Sequence, residues 1–187
     1  MKVSREQAAQ NRRRIVEVAG RLFRENGYDG IGVADIMKGA GLTHGGFYGH
    51  FGSKDELAAE ASAAALESKA AFWNPPGSPS PESLRTFVAG YLSPEHRDNP
   101  GSGCALPALG ADVAREPATV RHAFTDGVRG RIDALARLLP GRGKAAQRRK
   151  ALATLAGVVG ALTLARAVSD PELSDEILAA ATEAFGT

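Results

Sequence analysis

A single cysteine, Cys104, in a chain of 187 residues excludes an internal disulfide framework and fits a reducing compartment. No stretch reads as a secretory leader. The longest uncharged run near the C-terminus, Ala151–Ala165, falls short of the roughly 18 apolar residues that a membrane-crossing helix needs. A cytoplasmic, soluble protein with no membrane partner is expected. Signs of metal or cofactor chemistry are equally sparse. The four histidines are scattered. No cluster has metal-ligand spacing, no glycine-rich phosphate loop follows a strand, and no carboxylate pair sits at a suggestive spacing. No metal and no cofactor are expected. No internal repeat is visible, and no segment requires a β-strand.

What is present is a helical protein with enough apolar residues, 43%, to build a core of one or two small domains. The net charge of +2 is unevenly spread. Met1–Lys54 carries nine Lys/Arg against five Asp/Glu, and the remainder fourteen against sixteen. The N-terminal part can therefore meet a polyanion, while the rest need not.

The most informative stretch is Gly27–Leu57. Val33, Ile36 and Met37 give a short helix one apolar face. Ala40-Gly41-Leu42 forms a corner, where Gly41 can take positive φ and Leu42 plugs the angle. Thr43 is placed to cap the next helix, with the N–H groups of His44, Gly45 and Gly46 pointing outward. Phe47 and Phe51, four apart, face inward, and Tyr48 can then face out. Ser53 caps again, with Asp55 and Glu56 in a first turn that favours them. The pattern is a helix-turn-helix whose second helix has a small, polar tip.

Ala40-Gly41-Leu42-Thr43, followed by Phe47-Tyr48-x-His50-Phe51-x-Ser53-Lys54-x-x-Leu57, resembles the signature of TetR-family transcriptional repressors. The resemblance implies an all-α fold of about nine helices. Residues 1–53 would form a helix-turn-helix DNA-binding domain, and 54–187 a helical regulatory and dimerisation domain. It implies that Thr43 and His44, with the backbone of Gly45 and Gly46, approach bases or nearby phosphates. Tyr48, His50 and Lys54 occupy the family's phosphate-clamping positions. Gly45, Gly46 and Gly49 leave few side chains to read bases. Either the backbone comes very close to DNA, or Tyr48 and DNA shape carry more of the specificity. The partner is then double-stranded operator DNA with inverted-repeat symmetry, matching a homodimer.

The first helix opens at Ser4 in a capping-box pattern and ends at Gly27. Its Arg12-Arg13-Arg14 run is either a solvated face or a phosphate contact. Gly32 can cap the following helix but lacks a hydroxyl. A long alanine-rich helix is expected over about Lys54–Trp73, then a loop over Asn74–Pro81, a helix over about Glu82–Leu92 and a loop over Ser93–Gly103. Further helices run from Cys104 or Leu106 to Arg115, from Pro117 to about Leu139, over Lys144–Val168, and onward from Pro171. Leu152, Leu155, Val159 and Leu162, with Ile177, Ala181 and Phe185, form stripes suited to a four-helix dimer interface.

Ser102-Gly103-Cys104-Ala105-Leu106 resembles a TetR-like branch in which Gly-Cys opens the first helix of the ligand-binding core. Some members of that branch sense electrophiles or oxidants through the cysteine. Their nearby lysine on the penultimate helix corresponds here to Arg166. Phe72, Trp73, Phe87, Tyr91, Cys104, Leu106, Phe124, Val128 and Leu162 could line a cavity for a small-molecule effector, with Arg166 for a polar group. Each could equally be core. Two other classes stand beside the repressor reading: an enzyme pairing Cys104 with His96 or His122, and a structural DNA-binding protein without an effector.

Overall fold

The computed structural model describes residues 4–67, 73, 80–139 and 143–186. Among them it is all-α, with nine α-helices, two short 3₁₀ helices and no strand. They pack as two compact units: Met1–Ser68 with Pro100–Asp126, and Lys69–Asn99 with Gly127–Thr187.

In the first unit, α1 (Arg5–Asn26) starts where Ser4 Oγ accepts the Gln7 N–H. It buries Ile15, Val16, Ala19 and Phe23 and stops at Gly27, whose φ of 75° closes the C-terminus. The short α2 (Val33–Gly39) buries Ile36 and Met37. Gly41, at φ 68°, turns the corner. Its N–H and that of Leu42 satisfy the carbonyls of Lys38 (3.0 Å) and Met37 (2.9 Å). The next element, His44–Gly49, is a 3₁₀ helix, and Thr43 makes no side-chain cap there. Three glycines in this stretch disfavour a regular α-helix, so a tighter turn is the outcome. The helix α3 (Lys54–Glu67) is capped by Ser53 Oγ at 3.1 Å from the Glu56 N–H. The rest of the expected helix to Trp73 and nearly all of the expected Asn74–Pro81 loop lie outside the described residues, apart from a helical Trp73 and Ser80–Pro81 at the next helix. Tyr28 bonds Ser62 at 2.6 Å, and burial pushes its phenol up to about 12. The 3₁₀ turn Pro100–Ser102 and α6 (Ala105–Val113) complete this unit against α1.

The second unit contains α4 (Pro81–Tyr91), α5 (Pro94–Asp98), α8 (Lys144–Ala167) and α9 (Pro171–Phe185). The remaining helix, α7 (Ala118–Leu138), contributes to both units. The expected loop over Ser93–Gly103 is instead α5 and the 3₁₀ turn. Ser93 Oγ accepts the His96 N–H at 3.2 Å, and Pro94 sits at the permissive first position. Arg166 of α8 donates to the carbonyls of Arg97 (3.0 Å) and His96 (2.5 Å), which satisfies the exposed end of α5. Arg97 also joins Asp175 (2.6 Å) and Ser174 (3.0 Å) on α9. Along α8 the buried residues Ala151, Thr154, Leu155, Val158, Ala161, Leu162 and Ala165 recur every three or four positions. By length and composition alone α8 could cross a membrane. Its one-sided burial is that of a helix packed within the protomer.

Candidate nucleic-acid interface

The head is α1, α2, the 3₁₀ helix and the start of α3. Phe47 and Phe51 are buried and stack at 5.6 Å between centroids. Turning them inward forces Tyr48 outward, where it is 70% exposed. Thr43, His44 and Gly45 are also exposed, and Gly46, His50 and Lys54 are half-buried. The expected DNA-reading residues thus fall on one short stretch, with Thr43, His44, Gly45 and Tyr48 open to solvent. A Cβ at Gly45 or Gly49 would meet nothing within 4 Å, and one at Gly46 would make an ordinary 3.6 Å contact with Met37. The fold therefore does not require this tip to be bare.

One residue fastens the pieces together. The Arg12 guanidinium donates to the His50 carbonyl, pairs with Glu56 (3.3 Å) and Glu60, and lies 4.0 Å over the Phe51 ring. Of the two readings of the Arg12–Arg14 run, Arg12 follows neither simply: it is a strut between α1, the end of the 3₁₀ helix and α3. Arg14 reaches the Ala40 carbonyl at 3.2 Å, and Arg13 remains exposed. Sequence periodicity could not show Arg12's role, because its partners lie 38 to 48 residues away. The Glu56 carboxyl is held below the ordinary range, first by the Gly52 N–H at 2.8 Å and then by Arg12.

The comparisons with known proteins fall on the same stretch. Residues 15–61 match the family model described as bacterial regulatory proteins, tetR family. The curated regulator AcrR of Shigella flexneri is 37% identical over 57 residues, which is 30% of this chain and 26% of AcrR. The chain thus matches about a quarter of that relative's length. Over nearly the whole fold, a TetR-family regulator structure from Agrobacterium tumefaciens superposes with a TM-score of 0.75, at 22% identity, covering 95% of this chain and 98% of that one. The reduced form of E. coli NemR superposes at 0.70, also 22% identical, covering 92% and 95%.

Residues 15–61 thus carry a TetR-family N-terminal domain.

The residues singled out beyond the head divide between the packing units. Trp73, Phe87 and Tyr91 form a ring cluster with centroids 4.9 to 5.7 Å apart. The guanidinium of Arg131, a buried cation the sequence reading missed, lies 4.7 Å over Trp73. Val128, Leu162 and Arg166 belong to the same unit, while Cys104, Leu106 and Phe124 belong to the other. Phe72 lies outside the described residues. Cys104 is the half-buried N-cap of α6. One cation whose charge meets it is Arg24, itself lowered from its usual value by burial and bonded to the Gly101 carbonyl at 3.0 Å. His122 is exposed and faces Asp126 at 3.5 Å, and His96 Nδ1 lies 2.7 Å from the Tyr91 carbonyl. Among the described residues no group of His, Cys, Asp and Glu could hold a metal ion.

The α8 stripe also divides. Leu155 and Leu162 are buried within the protomer, whereas Leu152 is 44% exposed. Val159, Ile177, Ala181 and Phe185 are half-buried. Leu164 and Leu173, not picked out by the stripe, are exposed. Leu173 continues the four-residue repeat of Ile177, Ala181 and Phe185 by one step towards the N-terminus, and Leu164 lies two positions past Leu162.

Proposed function

We propose that this TetR-family chain is a cytoplasmic, homodimeric repressor that binds an inverted-repeat operator and is released from it by an effector. The observation that carries the reading is the head: a short turn with Tyr48 fully presented, flanked by Thr43, His44 and Lys54, on a segment matched by the family model. Tyr48, His50 and Lys54 hold phosphates and so position the head, while Thr43, His44 and the bare backbone of Gly45, Gly46 and Gly49 approach the bases. AcrR's description as a transcriptional regulator supports the same role. A duplex is read by two heads about 34 Å apart. The second copy would pack on exposed apolar residues of α8 and α9, Leu152, Leu164 and Leu173, together with half-buried Val159 and Ile177.

Binding isotherms at several salt concentrations test this. Tyr48→Phe and Lys54→Ala should weaken operator and random duplex alike, with Lys54→Ala lowering the salt slope by roughly one unit. Thr43→Ala or His44→Ala should change which operator is preferred. Leu152→Glu should give a monomer by light scattering and lose operator affinity, because two half-sites are no longer engaged together. Unchanged affinity in both Lys54→Ala and Tyr48→Phe would remove the head from the DNA contact. Release has two routes to compare: a largely apolar effector in the aromatic body, or covalent modification of Cys104, whose thiolate the α6 N-terminus and Arg24 would favour. A reversible effector must bind operator-bound protein more weakly by the factor with which it weakens DNA binding. If Cys104→Ser still leaves DNA after treatment with a mild electrophile, the thiol route fails.

A further inference from the structure

The mild negative charge of the chain beyond residue 54 is an average over unlike segments. Residues 129–150 hold eight Lys/Arg against the single acid Asp133. In the structure Arg129, Asp133 and Arg137 stand four apart on an exposed face of α7, and Lys144 and Arg148 stand four apart on the opening turns of α8. Arg148 reaches Asp133 at 2.8 Å, so the two helix faces form one continuous surface. Arg149 and Lys150 extend it, both exposed. The placement opposes helix electrostatics. The first turn of α8 contains no acid, its N-cap Gly143 supplies no side-chain cap, and cations crowd the positive end of the macrodipole. Cations thus gather where helix electrostatics alone favours acids, and the surface is strongly positive.

We infer that this surface is a second, sequence-independent DNA contact, which takes the phosphate backbone of a duplex other than the one held by the head. The inference rests on the proposed function only for how the first duplex is held. Four of the six exposed cations are arginines, whose planar fork suits phosphate oxygens. The exposed large apolar side chain next to this surface, Leu152, belongs to the proposed dimer seam. A protein already seated on DNA also meets neighbouring duplex at high effective concentration. The surface would make the dimer a bridge between DNA segments.

The test uses the full chain and a variant carrying Arg137→Gln, Lys144→Gln, Arg149→Gln and Lys150→Gln, which spares the Arg148–Asp133 pair. The double variant Lys144→Gln/Arg149→Gln is the fallback should four changes disturb folding, as read by thermal melting. A duplex on beads is loaded with protein and offered a second, labelled random-sequence duplex over a range of salt. Wild type should capture the second duplex. The quadruple variant should capture roughly tenfold less or worse, with its salt slope smaller by about three to four units. Capture and slope unchanged in the variants would overturn the inference. So would variants that lose binding to phosphatidylserine vesicles while keeping second-duplex capture, an outcome that assigns the surface to lipid. Loss of first-duplex binding in Tyr48→Phe and Lys54→Ala is scored separately, so failure of the head reading and failure of this surface give different patterns.

Discussion

The head and the α8–α9 pair solve the same packing problem by opposite means. The head fills its centre with rings, Phe23, Tyr28, Phe47 and Phe51, and fastens its short elements with one guanidinium. The pair uses small residues. Ala151, Ala161 and Ala165 are buried, and a Cβ on Gly157 would collide with the Phe185 ring. An element of six or seven residues cannot hold itself together and depends on partners brought from far along the chain. Helices of 24 and 15 residues keep their own shape and need only a close fit. The head should therefore fail by losing specific bonds, and the pair by losing fit.

Gly157→Leu attacks the fit and carries the largest expected effect. The new side chain displaces Phe185, and overpacking of this kind costs about 1–3 kcal/mol. Calorimetry should show a lower Tm, and light scattering a weakened dimer. An unchanged Tm would mean that the ring swings aside freely. Arg12→Ala attacks the bonds. Losing a charged hydrogen bond to the His50 carbonyl and two half-exposed ion pairs should cost about 1–2 kcal/mol in urea denaturation. It should also alter the acid limb of stability. Because the Glu56 carboxyl is lowered in the folded protein, its contribution is present above the ordinary glutamate range and is lost as pH falls through the lower folded value. In Arg12→Ala that loss should be smaller. If the acid limbs of wild type and variant coincide, Gly52 alone holds the carboxylate.

The smallest effect is expected at Glu116→Gln. Burial, then Asp29 and Asp55, raise the Glu116 carboxyl, which lies at a 200 Å³ pocket shared with Asp29 and Asp112. A raised acid costs the folded state once it ionises. The variant should be slightly more stable than wild type at pH 7, and the difference should vanish as acid protonates the native side chain. Paired thermal melts at pH 7 and pH 4 check it, and a variant less stable at pH 7 would contradict the assignment.

Legibility follows the same division. Ser4, Ser53, Gly27, Gly41 and Pro171 could be read as caps and stops, because capping involves residues a few positions apart. The pairing of Phe47 with Phe51 was legible for the same reason. The 3₁₀ character of His44–Gly49 was not, since glycine content argues against an α-helix without naming the alternative. Nor was α5, a helix of five residues whose C-terminal carbonyls are satisfied by Arg166, some 70 residues away. Arg12 read as one member of a basic run, and only the tertiary fold shows what it grips. On α8 the apolar stripe was visible, but which leucines turn into the protomer depends on where α9 packs.

The strut at Arg12 has a practical consequence for building chimeric regulators. A reading head cut after residue 53 would leave Arg12 with the His50 carbonyl but without Glu56 and Glu60. A transplanted head should therefore run at least through Glu60, with α3 travelling as part of the donor. The recipient would also need a turn that presents a carbonyl to Arg24, as Gly101 does here, at a position where a side chain would strike Glu25. The useful splice point is set by the grip of one arginine rather than by the end of the helix-turn-helix.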